Sequence, residues 1–354
     1  IISDSKCVGI TLGKDRASGN NGLENADGYN EVIRRVLKRG DWTKENIGSH
    51  IIRNNTISNC GEAGICGSLG AIFCKISGNH IHSIHYNKPF FGFEVAAIKF
   101  HAPIDCVIER NRIHNSYRAI WLDWMTQGTR VSRNLVYNNR HDFFSEVNHG
   151  PYLVDNNLFL SQSGIDTWSD GGAYVHNLVA GRGHRTKVLT RSTPYHPAHS
   201  TEVIGIKNIE GGDERIYNNI FSRHPNQKHN HSLYLRVNLP LFADGNVYLN
   251  GPWHYEGEEN FIEDKQFDPQ IKCVEKDDGV YLHMTLPSMK ELDTRMVTSK
   301  LLGKPLVTGL PYENIDGTPI KVDTDYFGKK RSLKNPAPGP FADPGEGEVV
   351  LKVW

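Results

Sequence analysis

RNRIHN, Arg110 to Asn115, returns 23 residues later as RNLVYN, Arg133 to Asn138. The same pattern recurs as RNNTIS, GNHIHS, NNLFLS, HNLVAG, NNIFSR and GNVYLN. Its asparagines are Asn55, Asn79, Asn111, Asn134, Asn157, Asn177, Asn219 and Asn246, at intervals of 24, 32, 23, 23, 20, 42 and 27 residues. A period near 23 residues with strand-like alternation after each Asn, lengthened where loops are inserted, is the mark of a solenoid of strands. Leucine-rich repeats share the period, but their LxxLxL pattern and helical spacing are absent. The sequence therefore predicts an all-β chain, a right-handed parallel β-helix with two or three short strands per coil. The asparagines should stack into a ladder at one bend, satisfying backbone groups and adopting left-handed conformations. Cys74 and Cys106, each five residues before a ladder Asn, should be neighbours in a core column, in phase with Thr129 and Tyr152.

Before the coils, DGYNEVIRRVLKRG places Tyr29, Val32, Ile33, Val36 and Leu37 on one helical face, with Asp27 as N-cap and Gly40 as stop. This predicts a short amphipathic helix within residues 28 to 39. The Asn pattern ends at Gly251. Residues 1–50 thus read as an entry segment, 51–251 as the coils, and 252–354 as a β-rich C-terminal appendage, either a small sheet or strands laid along the solenoid.

Forty Lys and Arg balance forty Asp and Glu in 354 residues, so no net field draws the chain to nucleic acid or to a membrane surface. No apolar run is long enough to span a bilayer and the start IISDSKCVGI is not a secretory signal, which predicts a soluble, cytoplasmic protein. The chain lacks an initiator Met and reads as a processed product or a portion of a longer one. Six irregularly spaced cysteines read as buried free thiols. No CxxC pair occurs, and the histidine-rich pieces with His80, His82, His85 and with His224, His229, His231 lack partnering acids, so no metal and no cofactor is expected.

Asp123 lies 11 residues before Asn134, and Glu146 lies 11 before Asn157. One coil separates them, which stacks them at the sheet spacing of about 4.8 Å, side chains pointing the same way. Alternation puts Ile120 and Leu122 inward and Trp121, Asp123, Phe144 and Glu146 outward, with Lys99 and His101 matching one coil earlier. Two carboxylates roughly 5 Å apart repel, so one keeps its proton while the other ionises. That separation suits a retaining glycosidase, whereas an inverting enzyme needs roughly 6.5–9.5 Å. Trp121, Trp124 and Phe144 could offer a platform for a sugar ring. The pattern alone leaves a solvated pair of surface acids open.

WLDWMTQGTRVSRNLVYNN (Trp121 to Asn139), followed by SEVNHGPYLVDNN (Ser145 to Asn157), resembles the core of glycoside hydrolase family 120, the β-xylosidases built on a right-handed parallel β-helix. The resemblance implies that Asp123 is the nucleophile and Glu146 the acid/base of a retaining enzyme that releases xylose from xylo-oligosaccharides. It also implies that Glu94 binds sugar hydroxyls. Lys99 and His101 would hold sugar and keep Asp123 ionised, while Asn148 and His149 would orient Glu146 or touch substrate. Members of the family are longer, with earlier coils and a β-sandwich domain ahead, so this chain would match their C-terminal part. It would then associate with an upstream segment or second chain, or form a homo-oligomer.

Two other readings differ in kind. Pectin-processing β-helices would need an aspartate trio with GHG and RIK motifs, or a calcium-binding acid cluster with a basic groove. A non-catalytic carbohydrate-binding module would need no carboxylate pair.

Overall fold

The computed structural model describes residues 1–13, 26–86, 94–226 and 231–354, and in the helix side chains from Glu31 on; His229 and the Tyr29 side chain lie outside them. Three parallel sheets run side by side along the coils. One has ten strands, from Ile2–Ser3 to Phe261–Asp264; one has eight, from Ile51–Arg53 to Phe242–Asp244. The third has seven: Val8–Leu12, Ala63–Ser68, Ala96–His101, Arg118–Leu122, His141–Glu146, Ser163–Trp168 and Arg182–Arg185. Each coil visits all three in turn, which is a parallel β-helix. Parallel pairing starts at Ile2 and continues past Gly251 to Asp264.

The period is set by the asparagine ladder. Asn134 Oδ1 accepts from the Asn111 backbone N–H and its side-chain amide, both at 3.0 Å, while Asn134 itself donates to Asn157 Oδ1. The same exchange links every member from Asn55 to Asn246. At the last rung Glu258 Oε1 takes the place of an amide, accepting from the Asn246 backbone and side chain. The ladder residues are not the left-handed ones. That conformation falls on the residue before each: Asn54, Gly78, Arg110, Arg133, Asn156, His176, Asn218 and Gly245, with φ between 53° and 74°. The ladder Asn begins the next strand, so the tight bend is completed one position earlier.

Inside the coils Ile57, Ile81, Ile113, Val136, Phe159 and Val179 stack in register, joined by Cys74 and Cys106. All six thiols are free; Cys60, Cys74 and Cys106 are buried, but Cys7 is exposed and donates to Glu62 Oε2.

Outer faces decide where a site can lie. The ten-stranded sheet turns Leu135, Leu158 and Leu178 outward, and an antiparallel sheet of Lys272–Lys276, Gly279–Leu286 and Gly347–Lys352 covers them with Leu282 and Met284. The eight-stranded sheet is covered by Val297, Tyr312 and Ile320 over Leu153 and Val175. The C-terminal region is thus both a small sheet and a strap along the solenoid. Arg331 ties it down, donating to Asn156 Oδ1 at 2.6 Å. The helix, Ala26–Arg39, is already helical one residue ahead of the expected cap Asp27, and Gly40 ends it at φ 73°. Its Val32, Ile33 and Val36 seal the bend beyond the seven-stranded sheet. Among the described residues no helix is long and apolar enough to cross a membrane. The outer face of the seven-stranded sheet carries charged and aromatic side chains instead.

Candidate active site

Strand register puts Lys99, Trp121 and Phe144 side by side, and Leu122 opposite Ser145. Asp123 follows Leu122 and Glu146 follows Ser145, so the two acids occupy equivalent positions on successive coils. Ile120 and Leu122 fill the interior. Trp121 and Phe144 form an outer cluster with Ala96 and Trp168. The alternation expected from the sequence is therefore present.

Asp123 is 5% exposed, and each of its oxygens is occupied. Oδ1 accepts from the Trp124 backbone N–H at 2.7 Å; Oδ2 faces Lys99 Nζ at 2.7 Å and His101 Nε2 at 2.8 Å. Burial pushes its pKa up, but the charges of Lys99 and His101 outweigh burial and hold it well below the ordinary carboxylate range. Lys99, 1% exposed, also meets Glu94 Oε2 at 2.5 Å. Burial opposes its charge, yet Asp123 and Glu94 keep it firmly protonated. Glu94 is held low in the same way, Lys99 and His101 outweighing burial.

Glu146 has the opposite bias. Burial first, and then the negative charge of Asp123, raise its pKa, while Arg191 and Lys99 pull it down. Its Oε2 accepts from the Trp121 indole at 3.0 Å and its Oε1 from Arg191. One carboxylate is thus held as an anion, and its neighbour is biased toward keeping a proton.

Sequence reasoning missed Arg191. It lies in the 42-residue interval between Asn177 and Asn219, where no repeat constrains the chain. There the strands Ser192–Tyr195 and Gly205–Asn208 form a hairpin that folds back over the sheet. The only signal was the length of the interval.

Three expected site residues have other partners. Trp124, of opposite parity to Asp123, is packed with Met125, Val147 and the helix in the bend cluster beyond the strand end. Asn148 is fully buried: Oδ1 accepts from Thr126 N–H at 2.6 Å, and Nδ2 donates to the Leu122 carbonyl and Ser145 Oγ. His149 Nε2 donates to the Lys207 carbonyl at 3.0 Å, and Nδ1 lies 3.3 Å from Asp170. Asp170 accepts from Glu210 and Gly211 N–H, so His149 and Asp170 clamp the hairpin that carries Arg191. Nor is Trp121 an open platform. Lys99 Nζ lies 4.0 Å from the centre of its ring, and Phe144 packs at 5.3 Å.

Comparison with known proteins agrees with this architecture. Residues 45–180 match the family model for a right handed beta helix region. The solved structure of XylC in complex with xylose superposes with a TM-score of 0.95 at 40% identity, over 99% of this chain and 60% of that one. The chain therefore spans three-fifths of the length of that relative. No curated protein matches it.

Proposed function

We propose that this chain carries the catalytic pair of a retaining glycoside hydrolase acting on β-xylosides or xylo-oligosaccharides. The observation that carries the reading is the placement of Asp123 and Glu146 one coil apart with opposite protonation bias. The coil step of about 4.8 Å fits the roughly 5–5.5 Å separation of a nucleophile and acid/base pair. Likeness to a protein solved with xylose supports the choice of sugar.

In this reading an Asp123 oxygen attacks the anomeric carbon as the glycosidic C–O bond breaks, and the leaving oxygen takes the proton of Glu146. Glu146, now a carboxylate, takes a proton from water. The water oxygen attacks the same carbon and releases Asp123, restoring both groups. Lys99 and His101 hold Asp123 ionised for the first step. Trp121 and Arg191 orient Glu146 and favour its anion for the second.

The test is nitrophenol release from an aryl β-xyloside by the protein in its natural chain composition, for wild type, Asp123→Gly and Glu146→Ala, with and without azide. Both variants should lose on the order of 10³-fold or more. Azide should give the α-azide with the first and the β-azide with the second. A wild type that binds xylo-oligosaccharide but cleaves no aryl glycoside would sink the catalytic reading in favour of a binding module.

A further inference from the structure

Arg118 differs from the other charged groups on this face. Its guanidinium lies 4.3 Å from the Trp121 ring centre, 5.1 Å from Tyr117 and 5.3 Å from Phe144. The side chain is half-buried. Among the described residues it makes no hydrogen bond and no ion pair, only these ring contacts.

Its neighbouring carboxylates are already committed. Glu146 is held by Trp121 and Arg191. Asp166 accepts from Ser163 Oγ at 3.1 Å, and meets His141 Nδ1 at 2.6 Å and Arg182 at 3.8 Å. Burial lowers the Arg118 pKa, against a weaker pull from Tyr117, Glu146 and Asp166. Arg140, stacked 4.9 Å from Tyr117, adds a further positive charge nearby.

Set over an aromatic column with no acceptor among the described residues, and only half-buried, these guanidinium N–H groups are free to meet an incoming anion. Their planar fork matches a carboxylate bidentately. Trp121, on which Arg118 stacks, donates directly to Glu146, so one side chain separates Arg118 from the proposed acid/base. The geometry points to Arg118 as an anion subsite that takes the carboxylate of a uronosyl residue on the same sugar chain, an inference that rests on the glycosidase reading. Arg118 is then a specificity-determining residue for acidic, branched substrates, and touches no reacting atom.

The test is calorimetric titration of the whole protein with xylobiose and with glucuronosyl-xylose, for wild type, Arg118→Gln and Arg118→Lys. Free glucuronate and inorganic phosphate serve as further probes, and aryl β-xyloside hydrolysis is measured alongside. Wild type should bind the acidic disaccharide tighter by on the order of tenfold. Arg118→Gln should abolish that preference, and Arg118→Lys should restore part of it. Equal affinities in wild type, or an equal loss for both sugars in Arg118→Gln, overturns the subsite. Free glucuronate or phosphate binding as tightly as the disaccharide, and lost in Arg118→Gln, overturns the uronosyl assignment. An inert xyloside assay with the acidic preference intact overturns the glycosidase reading and sustains the subsite.

Discussion

Arg191 donates to Glu146 Oε1 across 45 residues of sequence, and the positive charge it brings opposes the rise in pKa that burial and Asp123 impose. Removing that charge disfavours the carboxylate. Arg191→Gln should therefore move the basic limb of the kcat/KM pH profile upward, by up to about one pH unit. A pH–rate profile on aryl β-xyloside measures this; a limb that stays put or moves down contradicts the contact.

Among the described residues Lys99 is the sole ammonium shared by Asp123 and Glu94, 2.7 Å from the first and 2.5 Å from the second. Lys99→Met leaves two poorly solvated carboxylates without it, at a cost of about 3–5 kcal/mol. Urea unfolding at pH 7 would reveal the loss. A change below about 1 kcal/mol would mean that water reaches the pair freely.

Asn134 sits mid-ladder, satisfying Asn111 on one side and spending its own donors on Ile108, Ser132 and Asn157. Asn134→Ala strands several buried groups and should cost about 2–4 kcal/mol. Asn55, the first member, donates onward to Asn79 but is only half-buried. Asn55→Ala should cost less, and comparable losses in denaturant unfolding would refute a cooperative ladder.

His231 is buried against Phe221 and Tyr234 with no partner for either ring nitrogen, and burial pushes its pKa down to about 3. A depressed histidine adds stability that is complete above its unfolded value near 6.5 and is lost as pH falls toward 3. Between pH 7 and pH 5 this group alone should remove about 2 kcal/mol. His231→Phe should flatten the pH dependence by that amount; parallel curves for the two proteins would exclude it.

How much of this was legible depended on where strands end. The Asn spacing carried the coils, and one-coil separation with alternation brought Lys99, His101, Asp123 and Glu146 to one face. Trp124, expected at the sugar platform only for being an aromatic neighbour of Asp123, has the opposite parity and turns into the bend cluster past the last paired residue, Leu122. Asn148 and His149 lie in the next bend, where hydrogen-bond demand decides direction and parity does not. Arg191 was invisible because an insertion follows no period. The left-handed bends fell on Arg133 and His176 as readily as on Asn54 and Asn156, since a fixed register imposes the conformation on whatever residue occupies it.

The ladder has a reading direction. Each asparagine offers its N–H groups to the next coil and, from Asn79 on, receives those of the previous one, until Glu258 receives without passing anything on. Its own backbone N–H is spent locally on the Tyr255 carbonyl, and its other oxygen is taken by the Tyr248 hydroxyl at 2.7 Å. A duplicated coil spliced between Asn111 and Asn157 would preserve every donor and acceptor match. A coil appended beyond Glu258 would meet a residue with nothing left to give. The protein can lengthen in its middle, but at this end growth by duplication is closed.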